Sequence, residues 1–399
     1  TTMRAAVARP SSGAEAEAGP LTLAVEDVPT PVPDLSRDEA LIKVIKAGVC
    51  NTDLELMKGY MGVFEEPRVF GHEFVGIVVE APAGREPFVG KRVCADINVH
   101  CGPDASEGEG GDGPCSICHN PKLRDGEGSE RLDRMKRNHC PRRTVLGILN
   151  RPGCFQEFVV LPCRNLHIVP TVVPDELAVF AEPLAAALRV VEQDLLRERC
   201  WREEGATVAV LGDGKLGLLI AAAITLAMRR EGSRKGKVML IGRHKSKLDL
   251  LEPIRASPSE VGLVLVDSTT EEGQGELRAA AKSCDVAIDA TGNANGFEQA
   301  MQLLIPRGVL VLKSTCAAGV EKGLNLSTIV IDELVVVGSR CGPIDMALEL
   351  LRSDGESGGP LLLADLLKRM VQHTFKLEDA RLAFRKASER GVLKVVIEM

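Results

Sequence analysis

The segment Gly212-Asp-Gly214-Lys215-Leu216-Gly217 follows the apolar run Ala206–Leu211 and opens a stretch rich in Leu and Ala that continues to Arg229. This is G-x-G-x-x-G in the strand–turn–helix context its chemistry requires. Gly212 allows a tight turn, Gly214 lets backbone approach a pyrophosphate, and Gly217 lets the helix lie close to the strand. Lys215 and Leu216 begin the helix, whose first amides and positive dipole face the phosphates. A glycine turn joining two core elements is the competing reading. The second strand of such a fold ordinarily ends in Asp or Glu, which holds an adenosine ribose hydroxyl. Here Leu240-Ile-Gly242 runs into Arg243-His244-Lys245. Cationic groups attract a 2′-phosphate, so the spacing favours NADP(H) over NAD(H). A solvated basic turn is the alternative. Asp289-Ala-Thr291-Gly292 and Lys313-Ser-Thr also follow strand-like runs, at the sheet edge where cofactors bind, and Thr291 joins the candidate cofactor residues.

A second chemistry is metal binding. Gly48-Val-Cys50-Asn-Thr52-Asp53 follows a strand-like run, and Gly71-His72-Glu73-Phe-Val-Gly precedes another. Thiolate and imidazole are good zinc ligands and a carboxylate completes a set. Standing alone, these residues read as a buried thiol and a satisfied core histidine. Cys101, Cys115-x-x-Cys118 and Cys140 form a separate cluster within a chain of 12 cysteines. That count is far too sparse for a disulfide scaffold, and the clustering points to metal. His100, His119 and His139 adjoin the cluster as substitute ligands.

The elements that must position these groups divide into two kinds. Residues 39–50 and 74–80 read as strands in a β-rich region of about 170 residues. From about 172 onward, short continuous apolar strands alternate with helices: 206–211, 237–241, 261–266, 284–289, 308–312 and 333–338. That rhythm means a parallel sheet covered on both faces. After 342 helices dominate until a final strand, 393–397. Gly102–Pro114 and Leu123–Arg137 are Gly- and charge-rich, and read as exposed insertions or a docking surface for a partner.

Composition narrows the functions. Lys and Arg number 49 against 56 acidic residues, a net charge of −7, and aromatics are 3% of 399 residues. A nucleic-acid binder needs basic surface and stacking platforms, and this chain has neither in quantity. The longest apolar run, Leu216–Met228, contains 13 residues where a membrane span needs about 18 to 20. No membrane partner is expected, and the compartment expected is the cytoplasm. The chain opens on Thr, so removal of a transit peptide from an organellar precursor stays open.

Taken in order, G-V-C-N-T-D, G-H-E-F-V-G, the cysteine lobe, F-A-E-P-L-A, L-G-D-G-K-L-G and D-A-T-G resemble the medium-chain dehydrogenase/reductase family, specifically its zinc-containing alcohol and polyol dehydrogenases. The resemblance covers nearly the whole chain. It implies an α/β fold: a β-rich, chaperonin-10-like (GroES-like) catalytic domain over 1–171, a doubly wound Rossmann domain over 172–341, and a return to the catalytic domain over 342–399. It implies that Cys50, His72 and Glu182 hold a catalytic zinc, that Glu73 approaches the metal from the far side, that Asp53 orients the histidine, and that Thr52 carries protons. It further implies a structural zinc on Cys101, Cys115, Cys118 and Cys140, although 13 and 21 residues intervene where the family has short spacings. Lys394 matches a basic residue near the cofactor pyrophosphate. The implied activity is hydride transfer between an alcohol or polyol, or its carbonyl product, and NADP(H), in a homodimer or homotetramer. A zinc-independent reductase of the same superfamily and a non-catalytic cofactor-binding protein are the competing classes.

Overall fold

Strands form where β-branched and apolar residues run together, and the computed structural model shows how they assemble. It describes residues 1–11, 19–60, 66–101, 115–118, 137–193, 195, 205–230, 235–314, 326–354 and 361–399. Two units emerge, Thr1–Glu182 with Met370–Met399, and Pro183–Arg369.

The first unit is built on antiparallel pairing. Its largest sheet runs Leu166–Ile168, Arg92–Ala95, Glu73–Glu80, Glu39–Gly48, Lys394–Glu398 and Val371–Lys376, with Phe158–Pro162 also pairing Glu39–Gly48. The strand Glu39–Gly48 is central because Ala40, Ile42, Val44 and Ala47 are all buried. The last strand returns to this sheet: Val396 pairs Gly48 antiparallel, and Thr374 pairs Val396 parallel. The strand Val371–Lys376 replaces part of the helical region expected after 342. Its half-buried, half-exposed alternation is the period-2 signature of an edge strand. A smaller sheet joins Leu21–Pro29, Thr2–Pro10 and Arg68–Val69.

The second unit is a parallel sheet in the order Val261–Asp267, Gly236–Gly242, Ala206–Leu211, Cys284–Asp289, Leu304–Leu312 and Val335–Gly338. Numbered along the chain, that is 3-2-1-4-5-6, the doubly wound order whose switch point lies between its first and fourth strands. The helix Lys215–Arg230 buries Leu218, Ile220, Ala221, Ala222 and Ile224 and runs against the second strand. The division between the units falls later than the expected 341. The helix Ile344–Arg352 stays with the parallel sheet, where Glu349 takes an ion pair from Arg230 at 2.6 Å. Among the described residues no helix is long and apolar enough to cross a membrane.

Candidate functional site

Cys50 ends the run after strand Glu39–Gly48 in an extended conformation and caps the helix Asn51–Met57. Its N–H donates to Asp53 Oδ2 at 2.9 Å, and the other oxygen of Asp53 accepts the N–H of Gly71 at 3.1 Å. One fully buried carboxylate therefore ties the helix start to the loop that carries His72. The His72 Nδ1 lies 3.3 Å from Asp53 Oδ1, off the line of a formed hydrogen bond. A histidine ring whose Nδ1 faces a carboxylate offers Nε2 to a metal. Burial opposes charge on this ring, but Asp53 and Cys50 beside it raise the His72 pKa well above its ordinary value.

Donor atoms of Cys50, His72 and Glu73 lie within 4.8 Å of one another. A thiol, an imidazole and a carboxylate brought together, the latter two buried, suit zinc. Glu182 falls outside that set, half-buried in the first turn of the helix Ala181–Glu192. The Thr52 hydroxyl is 3.8 Å from Cys50 Sγ and half-buried.

Glu73 has a second partner. Its carboxylate is ion-paired with the Lys394 ammonium, both nearly inaccessible, and the ammonium sits 5.4 Å from the centre of the Phe180 ring. Gly48 makes this pair possible: a Cβ there would lie 2.5 Å from Glu73 Oε2 and 2.7 Å from Lys394 Nζ. Lys394, expected to lie near a pyrophosphate, thus has a carboxylate partner within the first unit. The pairing offsets the cost of burying the ammonium, which alone would be very costly.

The four lobe sulfurs, Cys101, Cys115, Cys118 and Cys140, converge within 4.8 Å of one another, with Cys115 and Cys140 at 3.7 Å. Their long sequence separations have not moved them out of reach. Burial pushes the Cys115 thiol up, but the amide N–H groups of Cys118 and Ile117 aimed at its sulfur outweigh this and bring it down to about 7. Such a thiol is ready to bind metal as thiolate. His100 and His139 do not join the group, while His119 and nearly all of both insertions lie outside the described residues. Cys94, Cys154, Cys163 and Cys284 are buried, Cys341 is half-buried, and Cys200 lies outside the described residues.

In the second unit Gly212 takes φ of +109°, which side chains rarely adopt, and hands the chain from the first strand to the helix. A Cβ on Gly217 would overlap the Gly212 carbonyl oxygen, whereas Gly214 faces open space. That opening is what a pyrophosphate needs to meet backbone amides. Lys215 and Leu216 are half-buried beside it. Thr291 donates both N–H and hydroxyl to Asp289 Oδ1, at 2.8 and 2.6 Å, fixing the loop after the fourth strand. Of the basic cluster, Arg243 is exposed, Lys245 pairs with Asp249 at 3.0 Å, and the His244 ring lies against Asp213 at 2.9 Å. Asp213 was not singled out from the sequence. Its only signal was an acidic residue between the first two glycines.

Residues 36–171 match the alcohol dehydrogenase GroES-like domain, and residues 175–399, more than half of the chain, match the glucose dehydrogenase C-terminus. An L-threonine 3-dehydrogenase of Sinorhizobium medicae is 29% identical over 303 residues, 74% of each chain. A D-altritol 5-dehydrogenase of Agrobacterium fabrum is 27% identical over 369 residues, 92% of this chain and 94% of its own. Among solved structures, a candidate zinc-binding dehydrogenase from Sinorhizobium meliloti 1021, bound to NADP, superimposes with a TM-score of 0.72 at 26% identity, covering both chains fully. Together with the two-unit architecture and the ordered motifs, these matches make the chain an oxidoreductase of the medium-chain dehydrogenase/reductase family, of the kind represented by its zinc-dependent alcohol and polyol dehydrogenases.

Proposed function

We propose that the protein is a zinc-dependent enzyme that transfers a hydride between an alcohol or polyol, or the corresponding carbonyl, and NADP(H). The observation that carries this reading is the convergence of half-buried Cys50 with buried His72 and Glu73, where Asp53 holds the Cys50 amide and the Gly71 amide beside His72. Cys50 and His72 would hold the metal, with Glu182 as third ligand. Zinc bound there supplies Lewis acidity, lowering the pKa of an alcohol hydroxyl or polarising a carbonyl.

The remaining roles belong to the chain. Asp53 holds the Cys50 amide and faces the His72 ring, so both donors are in place before substrate arrives. The Thr52 hydroxyl, close to Cys50 Sγ, would hold and pass the proton that leaves the alcohol. Glu73 offers a further carboxylate, and Lys394 balances its charge. The second zinc would sit on Cys101, Cys115, Cys118 and Cys140, a closed set of four sulfurs suited to a structural role.

Gly212, Gly214 and Gly217 would receive the pyrophosphate, with Thr291 at the next loop. Arg243 would meet the 2′-phosphate, helped by His244 and Lys245. The relatives' names point to polyol and hydroxy-amino-acid substrates, and a carboxylate ligand such as Glu182 accords with the polyol branch. The exposed edge strand Val335–Gly338, with Val330 and Ile331 each 78% exposed beside it, favours pairing with a second copy. Four lobe thiols and Cys50, all of which must stay reduced to hold metal, suit the cytoplasm. A panel of alcohols, polyols and aldehydes assayed with both cofactors tests the reading. Turnover of at least one polyol with NADP(H) supports it, and turnover only with NAD(H), or none, contradicts it.

A further inference from the structure

No carboxylate stands at the end of the second strand, yet one reaches that turn from the glycine loop. Asp213 Oδ2 accepts the backbone N–H of Arg243 and that of His244, each at 2.7 Å. The His244 Nδ1 lies 2.9 Å from the same oxygen and 3.1 Å from Oδ1. Gly242 leaves the space: a Cβ there would stand 2.6 Å from Asp213 Cβ. On its other side the turn is held by Ser268, whose N–H and hydroxyl donate to the Gly242 carbonyl at 2.8 and 2.9 Å. Asp213 is only 8% exposed. Burial works against its ionisation, but the Arg243 amide and the His244 ring and amide outweigh burial and hold its carboxyl below the usual range. The Arg243 residue it anchors is exposed.

We infer that Asp213 is a positioning residue for cofactor selection: it fixes the backbone at Arg243 and His244 so that the arginine is held ready for an adenosine 2′-phosphate. The inference rests on the NADP-linked reading above and deepens it. Asp213 is a poor candidate for gripping a ribose hydroxyl itself. Oδ2 already takes three contacts, and the oxygen left over faces the imidazole. The two amides and the ring also offset a charge that would otherwise repel a phosphate. The arrangement accounts for an acidic residue inside a fingerprint that must accept anions.

The test is calorimetric binding of 2′,5′-ADP and of 5′-AMP to the full-length protein, with a thermal melt of every variant. The wild type binds 2′,5′-ADP more tightly. Asp213→Ala narrows the ratio of the two affinities by about tenfold, the worth of one well-made charged hydrogen bond, while 5′-AMP changes far less. Asp213→Asn keeps an oxygen that accepts both amides and retains most of the ratio. Gly242→Ala, which crowds Asp213 off the turn and leaves its charge present, narrows the ratio like the alanine variant and serves where that variant does not fold. An unchanged ratio in Asp213→Ala and Gly242→Ala overturns the inference, as does equal weakening of both ligands. A widened ratio means that the carboxylate opposes the phosphate, and also overturns it. If the wild type prefers 5′-AMP, the NADP reading itself fails. A loss of 5′-AMP binding in Asp213→Ala would then assign the carboxylate to the ribose and reject the positioning role.

Discussion

Glu73 and Lys394, 321 residues apart in sequence, form an ion pair in the interior of the first unit, across the face of Gly48. The pair joins the residue next to the candidate ligand His72 to the last strand of the chain, and three adjacent strands supply its parts. Removing one member leaves a buried charge unmatched, which costs about 3–5 kcal/mol. Lys394→Met should therefore destabilise the protein by that order in denaturant titration. Adding Glu73→Gln to it should restore a large part of the loss. Equal instability of the single and double variants would show that the lysine matters for packing rather than for charge.

The lobe is expected to be a separate metal-held element. Cys115→Ser removes one of four converged sulfurs and the thiol best prepared to ionise. It should release one zinc per chain and speed proteolysis of the lobe, with binding of the dinucleotide largely unchanged. Limited proteolysis followed by mass spectrometry reads the result. Cleavage at the wild-type rate would mean that metal does not hold the lobe.

Arg243→Asp should reverse cofactor preference. It replaces an attraction for the 2′-phosphate by a repulsion and supplies the carboxylate that NAD-binding folds carry at this turn. The change in the ratio of kcat/KM for NADP over NAD should be roughly 10- to 100-fold, as expected for losing a charged hydrogen bond. An unchanged ratio would place the selecting contact elsewhere.

The outer edge of the parallel sheet exposes 49% of Val335 and 40% of Val336. Sedimentation at micromolar concentration should give a dimer or tetramer, and Val336→Lys should shift it toward monomer, since a charge on an edge strand blocks pairing. A wild-type monomer would remove this edge as an interface.

Much of the fold could be read from the chain because continuous apolar strands such as Ala206–Leu211 and Gly236–Gly242 report burial on both faces. The edge strand Val371–Lys376 escaped because its residues are only half-buried and mostly polar. The fingerprint was visible in its strand–turn–helix context, whereas the expected ligand roles of Cys50, His72 and Glu182 came from the family resemblance, since residues so far apart in sequence say little by spacing. What the sequence did not reveal were side chains acting at long range. Lys394 carries no local sign of its partner Glu73, and Asp213 belongs by spacing to the glycine loop although its work lies at the turn thirty residues on. A basic residue's sequence neighbours do not say which anion the fold buries beside it, and for Lys394 that anion is Glu73.

Zinc content per chain, measured by elemental analysis on the wild type and on Cys50→Ser, tests the central claim most directly. Two zincs per wild-type chain are predicted, falling to one in Cys50→Ser, which stays folded and loses alcohol-dependent reduction of NADP. Full activity in Cys50→Ser, or zinc content that the substitution leaves unchanged, would contradict a catalytic metal held by Cys50 and His72.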